Sequence, residues 1–252
     1  MAAKQFGTHR LSGTVGDVTY SHTKSGFKAR QKSKINMAER QSGQQFQAWR
    51  DHTSEFGIMT TEARIFRNAF TDLNWNIKNK SLIQQTVKLM NAIRKTDSTN
   101  LRGQRRASLG DLSMLVGFDF TGSGSIDTAI NGGYSSAFNR LTGVTVATIQ
   151  QMIPKQRLNV PANATHFMFT LAAAALNFET GEISKVMVST EKLWIDNEVL
   201  PETVLTETLP ANSTDPVVIA LKLEYFTEIN GHYYPLMSTA SINSTVIRVD
   251  QG

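Results

Sequence analysis

The spacing of the apolar residues changes near residue 111, and this change constrains the fold more than any other feature. Residues 36–93 place aromatic and aliphatic side chains three or four positions apart, as amphipathic helices do. After residue 111 the apolar residues form short runs separated by glycine, asparagine and proline, which is typical of strands and turns. With 252 residues, the chain is long enough for one large domain or two ordinary ones. The sequence therefore predicts an α+β fold.

Three segments follow from this pattern. We predict a basic β-hairpin arm over residues 1–34, because strand-favouring residues there flank a Lys24-Ser25-Gly26 turn. A helical layer follows over residues 35–110, and it ends in a basic segment, residues 94–110, which we call the link. An acidic antiparallel β-sandwich, immunoglobulin-like, is predicted over residues 111–252, since seven or eight short strands with regular turn signals are typical of that architecture.

Glycine and capping signals divide the helical region into three helices. Gly57 is a candidate C-cap for the first helix, and Thr60 or Thr61 is a candidate N-cap for the second. Ser81 and Gln84 form a capping-box pattern before the third. The aromatic and aliphatic stripes of these helices predict core contacts and not a cofactor site.

Six runs after residue 111 have the composition of strands. They span residues 115–120, 144–149, 167–171, 185–188, 217–226 and 246–249. In the 217–226 run the odd-numbered residues from Val217 to Tyr225 are all apolar or aromatic, so they are predicted to face the core. The same alternation predicts that Lys222 and Glu224 face solvent.

Asn230-Gly231 is the strongest hairpin signal in the chain, because this pair favours the tight turn that matches strand twist. The hairpin is predicted to bring Tyr233 or Tyr234 beside Tyr225 or Phe226.

The net charge of the chain changes sign near residue 111, where the spacing of the apolar residues also changes. Residues 1–110 hold 19 basic and 7 acidic residues, a net charge of +12, whereas residues 111–252 hold 7 and 14, a net charge of −7. Such asymmetry indicates that the basic half has an acidic partner. The candidates are nucleic acid, a membrane surface, or the acidic half of another copy.

The basic residues of the arm and link are the candidate contacts for assembly or for a polyanion. A strand over residues 27–32 places Lys28, Arg30 and Lys32 on one face, and the arginines of the link can bind phosphate or carboxylate. The alternative is an edge strand whose charges only prevent aggregation. The full set is Lys24, Lys28, Arg30, Lys32, Lys34, Arg102, Arg105 and Arg106.

No pattern in the sequence indicates catalysis, a cofactor or a metal. The chain has no cysteine, which excludes disulfides and thiolate metal sites. Its five histidines are scattered, with no pair at helical ligand spacing. Gly122-Ser123-Gly124 lacks the rest of a dinucleotide fingerprint, and no nucleophile elbow occurs. We therefore predict no catalytic, cofactor-binding or metal-binding residue.

Two patterns in the sequence match modification sites, one for phosphorylation and one for N-glycosylation, but we predict neither modification. The stretch at residues 105–109 has the form preferred by basic-directed kinases, but nothing else in the chain is regulatory, so it is taken as chance. Asn163, Asn212 and Asn243 each begin an Asn-x-Ser/Thr pattern, and are predicted to be turn residues.

The N-terminus lacks a signal-peptide apolar run, and no stretch approaches the roughly 18–20 apolar residues of a membrane span. We expect a cytoplasmic protein without a membrane span, and leave open its release as part of a particle.

Several short strings resemble a family of uncharacterised Bacteroidota proteins with an N-terminal hairpin of this type and a C-terminal β domain. They are LSGTVGDVTY (residues 11–20), KSGFKAR (24–30), SEFG (54–57), RGQR (102–105), GFDF (117–120), ATHF (164–167) and residues 220–236. The resemblance touches most of the chain at scattered points and implies no activity. The family's multiple gene copies would suit a structural or surface-variable component.

These observations favour a non-enzymatic structural protein that self-assembles into a homo-oligomer or filament through its basic arm and acidic sandwich. The first alternative is a nucleic-acid-binding protein that uses the basic half. The second is a sandwich-type binding module for carbohydrate or protein, with the loop at residues 131–134 as the contact surface.

Overall fold

A four-stranded antiparallel sheet dominates the first of two compact units, Met1–Arg50 and Asp51–Gly252. The computed structural model describes residues 3–4, 12–32, 37–131, 133–238 and 241–252. The strands of the first unit are β1 (Ala3–Lys4), β2 (Gly13–Val15), β3 (Val18–Thr23) and β4 (Gly26–Gln31), in the order β1-β4-β3-β2. Helix α1 (Met37–Ser42) and a 3-10 helix (Gln44–Phe46) follow. The turn predicted at Lys24-Ser25-Gly26 is confirmed, since Thr23 pairs with Gly26.

Most of helix α2 (Gln47–Ala69) and all of helix α3 (Leu82–Arg94) lie in the second unit. Gly57 is inside α2, so the predicted C-cap and the break after it are wrong. An interior glycine costs a helix only about 1 kcal/mol relative to alanine, and the burial of Met59 and Phe66 just beyond it outweighs that cost. The hydroxyls of Thr60 and Thr61 donate to the Gly57 carbonyl and cap nothing.

Helix α3 begins after Ser81, as predicted, but the Ser81 side chain makes no capping hydrogen bond. Instead, the Ser81 backbone N–H donates to Asn79 Oδ1 at 2.9 Å.

Two long strands, β7 (His166–Leu176) and β11 (Val217–Ile229), pair at the centre of a six-stranded antiparallel sheet. The outer edge of β7 is shared by β8 (Ile183–Ser189) and β9 (Leu193–Trp194). The outer edge of β11 is shared by β13 (Ile242–Asp250) and β12 (His232–Pro235). A second, three-stranded sheet has the order β10-β6-β5, with β5 (Tyr134–Asn139), β6 (Val144–Ile149) and β10 (Thr203–Thr208). The connections contain a 3-10 helix (Leu112–Leu115), α4 (Ile126–Ala129) and α5 (Pro154–Arg157).

The six-stranded sheet is covered on both faces. The odd-numbered residues of β11 face the core, as predicted, and belong to an apolar cluster with Ala147 and Ile149 of the three-stranded sheet. On the other face, Val218 and Ala220 belong to a second cluster with Phe66 and Met90 of the helices. The α+β class is therefore confirmed, whereas the immunoglobulin-like form of the sandwich stays a prediction.

The helical layer overturns the prediction for Lys222 and Glu224. Lys222 is 1% exposed and Glu224 is 7% exposed, because the face that was assigned to solvent lies under the helical region. Alternation along one strand shows which residues share a face, but it does not show what covers that face.

The strand predicted over residues 115–120 is also corrected. The 3-10 helix occupies Leu112–Leu115, and Asp119 makes only an isolated bridge to Thr245. Residues 117–120 nevertheless lie along β13, where the N–H groups of Gly117 and Phe120 donate to the carbonyls of Val246 and Ser244.

The Asn230-Gly231 hairpin is confirmed between β11 and β12, and both turn residues have positive φ (53° and 79°). Its tyrosines lie diagonal to Tyr225 and Phe226 and not directly opposite them. The turn fixes Ile229 opposite His232, which places Tyr233 opposite Glu228 and Tyr234 opposite Thr227.

Candidate functional site

The two faces of the N-terminal sheet differ in chemistry. Directly paired residues of neighbouring strands share a face, and Arg30 pairs with Thr19 while Lys28 pairs with Ser21. We call this the basic face; its residues are Thr14, Thr19, Ser21, Lys28 and Arg30. The opposite, apolar face holds Val15, Val18, Tyr20, His22, Phe27 and Ala29, with Gln31 at its end.

No side chain among residues 12–32 is buried. On the apolar face, Val15 is 64% exposed, and the rings of His22 and Phe27 contact each other with centroids 4.5 Å apart. A small sheet ordinarily needs its hydrophobic face covered to be stable. On this face Val18, Tyr20 and Phe27 are only partly buried.

Four of the candidate basic residues belong to this sheet. Lys28 and Arg30 lie on the basic face, Lys24 is in the β3–β4 turn, and Lys32 follows β4 with its N–H donating to the Asp17 carbonyl at 2.6 Å. None of the four lies in an ion pair between residues that the structure describes. Lys34 lies outside the described residues.

The three arginines of the link lie in the second unit and do not form one cluster. Arg105 Nε is 3.6 Å from Glu55 Oε1, and a terminal nitrogen of Arg106 is 3.7 Å from Glu179. Arg102 is exposed. Arg105 therefore contributes to an internal ion pair, and only Arg102 and Arg106 face solvent to a large extent.

Buried carboxylates hold the link in place. Glu55 forms an ion pair with Arg94 and accepts from the Gly103 N–H at 2.8 Å. Burial raises the pKa of Asp97, but hydrogen bonds from Asn100, Arg106 and Thr99 outweigh this effect, and the net shift lowers the pKa. No local pattern marks Glu55, because its partners Arg94 and Gly103 are distant in the chain. The partners of Asp97 all lie within nine residues of it.

The modification patterns coincide with structural roles. The hydroxyl of Ser108 donates to Glu62 Oε1 at 2.6 Å, and a phosphate there would oppose a carboxylate. Asn163 and Asn212 have positive φ, as expected of turn residues. The prediction is wrong for Asn243, which lies buried in β13 and donates to the Gly124 carbonyl.

A buried charged network that the sequence did not reveal joins β11 to the segment after α2. Lys222 Nζ lies 3.1 Å from Glu224 Oε2 and donates to the Leu73 carbonyl and to Asn76 Oδ1 at 2.7 and 2.9 Å. Asn76 Nδ2 donates to Glu224 Oε1 at 2.6 Å. Burial lowers the pKa of Lys222, while Glu224 acts in the opposite direction. Because each of these charges has several partners, the network is structural.

A second unpredicted group surrounds His166, which is fully buried at the start of β7. Its Nδ1 is 2.9 Å from Thr165 Oγ1, and its Nε2 has no hydrogen-bond partner among the described residues and lies 4.0 Å from Glu228. The rings of Trp194 and Tyr233 cover it, with centroids 4.1 and 4.8 Å away.

An apolar groove of about 510 Å³ lies between α3 and residues 117–122. Leu89, Ala92 and Phe118 line it together with Asp119, whose carboxylate accepts from Thr121 and Gly124. Asp119 is thus held by its own loop. Over the described part of the chain, no three metal-ligating side chains come together to hold a metal ion.

The loop considered for ligand contact leads into Tyr134, whose hydroxyl donates to Asp127 at 2.7 Å. Burial and the Asp127 contact raise the pKa of Tyr134. The Tyr134 hydroxyl is therefore already hydrogen-bonded within the chain.

No family model, curated protein or solved structure matches the chain. The resemblance to the Bacteroidota family accordingly stays a prediction. None of the described helices is both long and apolar enough to span a membrane.

Proposed function

We propose that this is a non-enzymatic structural protein that self-assembles, with the N-terminal sheet as the connector between copies. The observation that carries the proposal is the apolar face of that sheet, on which no described side chain is fully buried and Val15 is 64% exposed. A second copy would complete the burial of Val15, Val18 and Tyr20, whose removal from water favours association.

The distribution of charge supports the same proposal. Residues 1–50 hold 9 basic and 2 acidic residues, a net charge of +7, whereas residues 51–252 hold 17 and 19, a net charge of −2. Opposite charges on two parts of one chain favour contacts between copies and disfavour self-contact of like parts.

The same geometry weighs against single-stranded nucleic acid as the partner. Such sites combine cations that follow the phosphates with aromatic rings on which the bases stack. Here Lys28 and Arg30 lie on one face, whereas Tyr20 and Phe27 lie on the other. One strand of nucleic acid cannot use both sets at once, so the basic face alone would give weak, salt-sensitive retention.

Light scattering tests the proposal. The purified chain should have a mass above the 27.9 kDa monomer at low salt. The variant Tyr20→Asp/Phe27→Asp should dissociate, because it places charge on the apolar face.

The matched control is Leu101→Asp/Leu141→Asp, which changes net charge equally at two apolar residues that are 81% and 74% exposed in the second unit. It should assemble as the unmodified chain does. A monomeric mass for the unmodified chain over a wide concentration range would contradict the proposal. Sub-micromolar nucleic-acid binding at physiological salt would favour the alternative function instead.

A further inference from the structure

Residues 191–207 form an acidic stretch of the second unit. They contain five acidic residues and one basic residue, Lys192, a net charge of −4. The stretch runs through β9 and most of β10. We call it the acidic rim; its carboxylates are Glu191, Asp196, Glu198, Glu202 and Glu207.

These carboxylates are not neutralised by the rest of the described chain. None of the five lies in any ion pair between described residues. Glu191, Glu198 and Glu202 are exposed. The rim therefore presents a negative surface that is free to attract a cationic partner.

The rim also exposes apolar side chains between its acids. Trp194 is 59% exposed, Val199 is 55% exposed and Val204 is 53% exposed. In addition, β10 is an edge strand of its sheet. Beside Trp194, His166 Nε2 is a buried polar atom without a hydrogen-bond partner among the described residues. Apolar contacts ringed by charge are typical of protein interfaces.

We infer that the acidic rim is the docking surface for the N-terminal sheet of a second copy, whose basic face meets the rim carboxylates. This inference rests on the proposed function and names the receiving surface. Charge complementarity selects the occupant: the sheet belongs to a unit with a net charge of +7, and the rim carries −4. Lys28 and Arg30 are extended cationic side chains on one face, which suits contact with a row of carboxylates.

The arrangement determines the kind of assembly. The sheet and the rim are different surfaces of one chain, so the contact is heterologous. Repeating a heterologous contact gives a ring when the rotation closes and an open filament when it does not. The sheet then makes two contacts: its basic face meets the rim of one copy, and its apolar face is buried by a further copy as in the proposed function, so losing either contact weakens assembly.

A charge-swap experiment on the full chain tests the inference. Lys28→Glu/Arg30→Glu and Glu198→Lys/Glu202→Lys should each raise the dissociation constant of assembly by roughly tenfold or more, because each brings like charges together. An equimolar mixture of the two variants should assemble again, since each then offers the charge that the other lacks. Sedimentation velocity at low salt and at about 0.5 M salt measures both effects.

The matched control for Glu202→Lys alone is Glu182→Lys, which reverses one exposed acid that lies outside the rim and in no ion pair between described residues. It should assemble normally. If the unmodified chain assembles and the rim variant assembles equally well, the inference is overturned while the proposed function stands. If the unmodified chain is monomeric, the proposed function itself fails. A rim variant that loses assembly without rescue by the mixture would overturn direct pairing of rim and sheet.

Discussion

At the residue scale, the most informative side chain is Lys222, a lysine with 1% exposure inside the longest strand. Its ammonium has three partners within 3.1 Å. A buried ion pair of this kind adds little net stability, but removing one partner leaves the other charge uncompensated. The network therefore fixes how the segment around Asn76 docks on β11.

We predict that Lys222→Met lowers the free energy of unfolding by about 3–5 kcal/mol, because Glu224 is left buried without its cation. The double variant Lys222→Met/Glu224→Leu should recover much of this loss, since both charges are then gone. Urea unfolding measures the effect. In the control Lys185→Met, which breaks an exposed pair with Asp72, the change should stay below about 1 kcal/mol. A Lys222→Met variant as stable as the control would refute the prediction.

A second residue-scale prediction concerns pH and His166. Burial lowers the pKa of His166; Glu228 opposes this shift and Lys192 adds to it. Between that lowered pKa and the usual value of about 6.5, the unfolded chain binds more protons than the folded chain. Stability is therefore full above about pH 6.5 and decreases as pH falls through this window.

The measurement is urea unfolding at several pH values between 7.5 and 5. His166→Gln should lose less stability on acidification than the unmodified chain. His232→Gln, which changes an exposed histidine of β12, should lose as much as the unmodified chain. Equal acid sensitivity in all three proteins would show that His166 does not cause it.

At the element scale, helix α2 is continuous through Gly57, and the local signal for its end is misleading. Gly57 and the threonines after it are typical of a helix boundary. The boundary does not form, because Met59, Ala63 and Phe66 extend one buried stripe along the helix. The stability gained by burying these side chains is greater than the local preference for a helix end at Gly57.

We predict that Gly57→Ala raises the free energy of unfolding by about 0.5–1 kcal/mol. An added Cβ at Gly57 meets no atom within 4 Å, and its backbone is helical. Gly103→Ala is the matched contrast, since Gly103 has a φ of +98° and its Cβ would lie 3.0 Å from Asp51 Oδ1. Thermal unfolding should show opposite signs for the two variants. Destabilisation by Gly57→Ala would instead indicate a helix boundary at this position.

The elements show how far the sequence determines the fold. Strand β11 and the turn at Asn230-Gly231 are set by alternation and turn chemistry, which are local, and both were predicted. The burial of Lys222 depends on Asn76, which is 146 residues away, and no local pattern contains that information. For the candidate site, the shared face of Lys28 and Arg30 follows from strand period. The engagement of Arg105 by Glu55 depends on tertiary contact and was not predictable.

At the scale of the whole molecule, the chain divides into two compact units after Arg50, whereas the predicted segments end at residues 34 and 110. The first unit, Met1–Arg50, contains the sheet with no buried side chain among residues 12–32. The second, Asp51–Gly252, contains both apolar clusters. The stability of the second unit therefore needs none of the N-terminal strands.

We predict that a chain lacking residues 1–36 folds and does not assemble. Its near-UV circular dichroism should show fixed aromatic packing, because Phe66, Phe70 and Phe120 are all retained. Its mass by light scattering should be that of a monomer. A truncated chain that forms the same species as the full chain would show that the N-terminal sheet is not the connector.

The distance between Asn76 and Lys222 also has a consequence for synthesis. Lys222 emerges 146 residues after Asn76, which takes a ribosome roughly 7–30 s at 5–20 residues per second. During that interval the nascent chain displays the apolar surface of α2, and that of α3 once it is made. Strand β7, when it is made, has no central partner until β11 follows. The exposed surfaces are those that chaperones bind. A ribosome that stops before residue 217 releases a chain without its central strand, and such a product is a substrate for proteolysis.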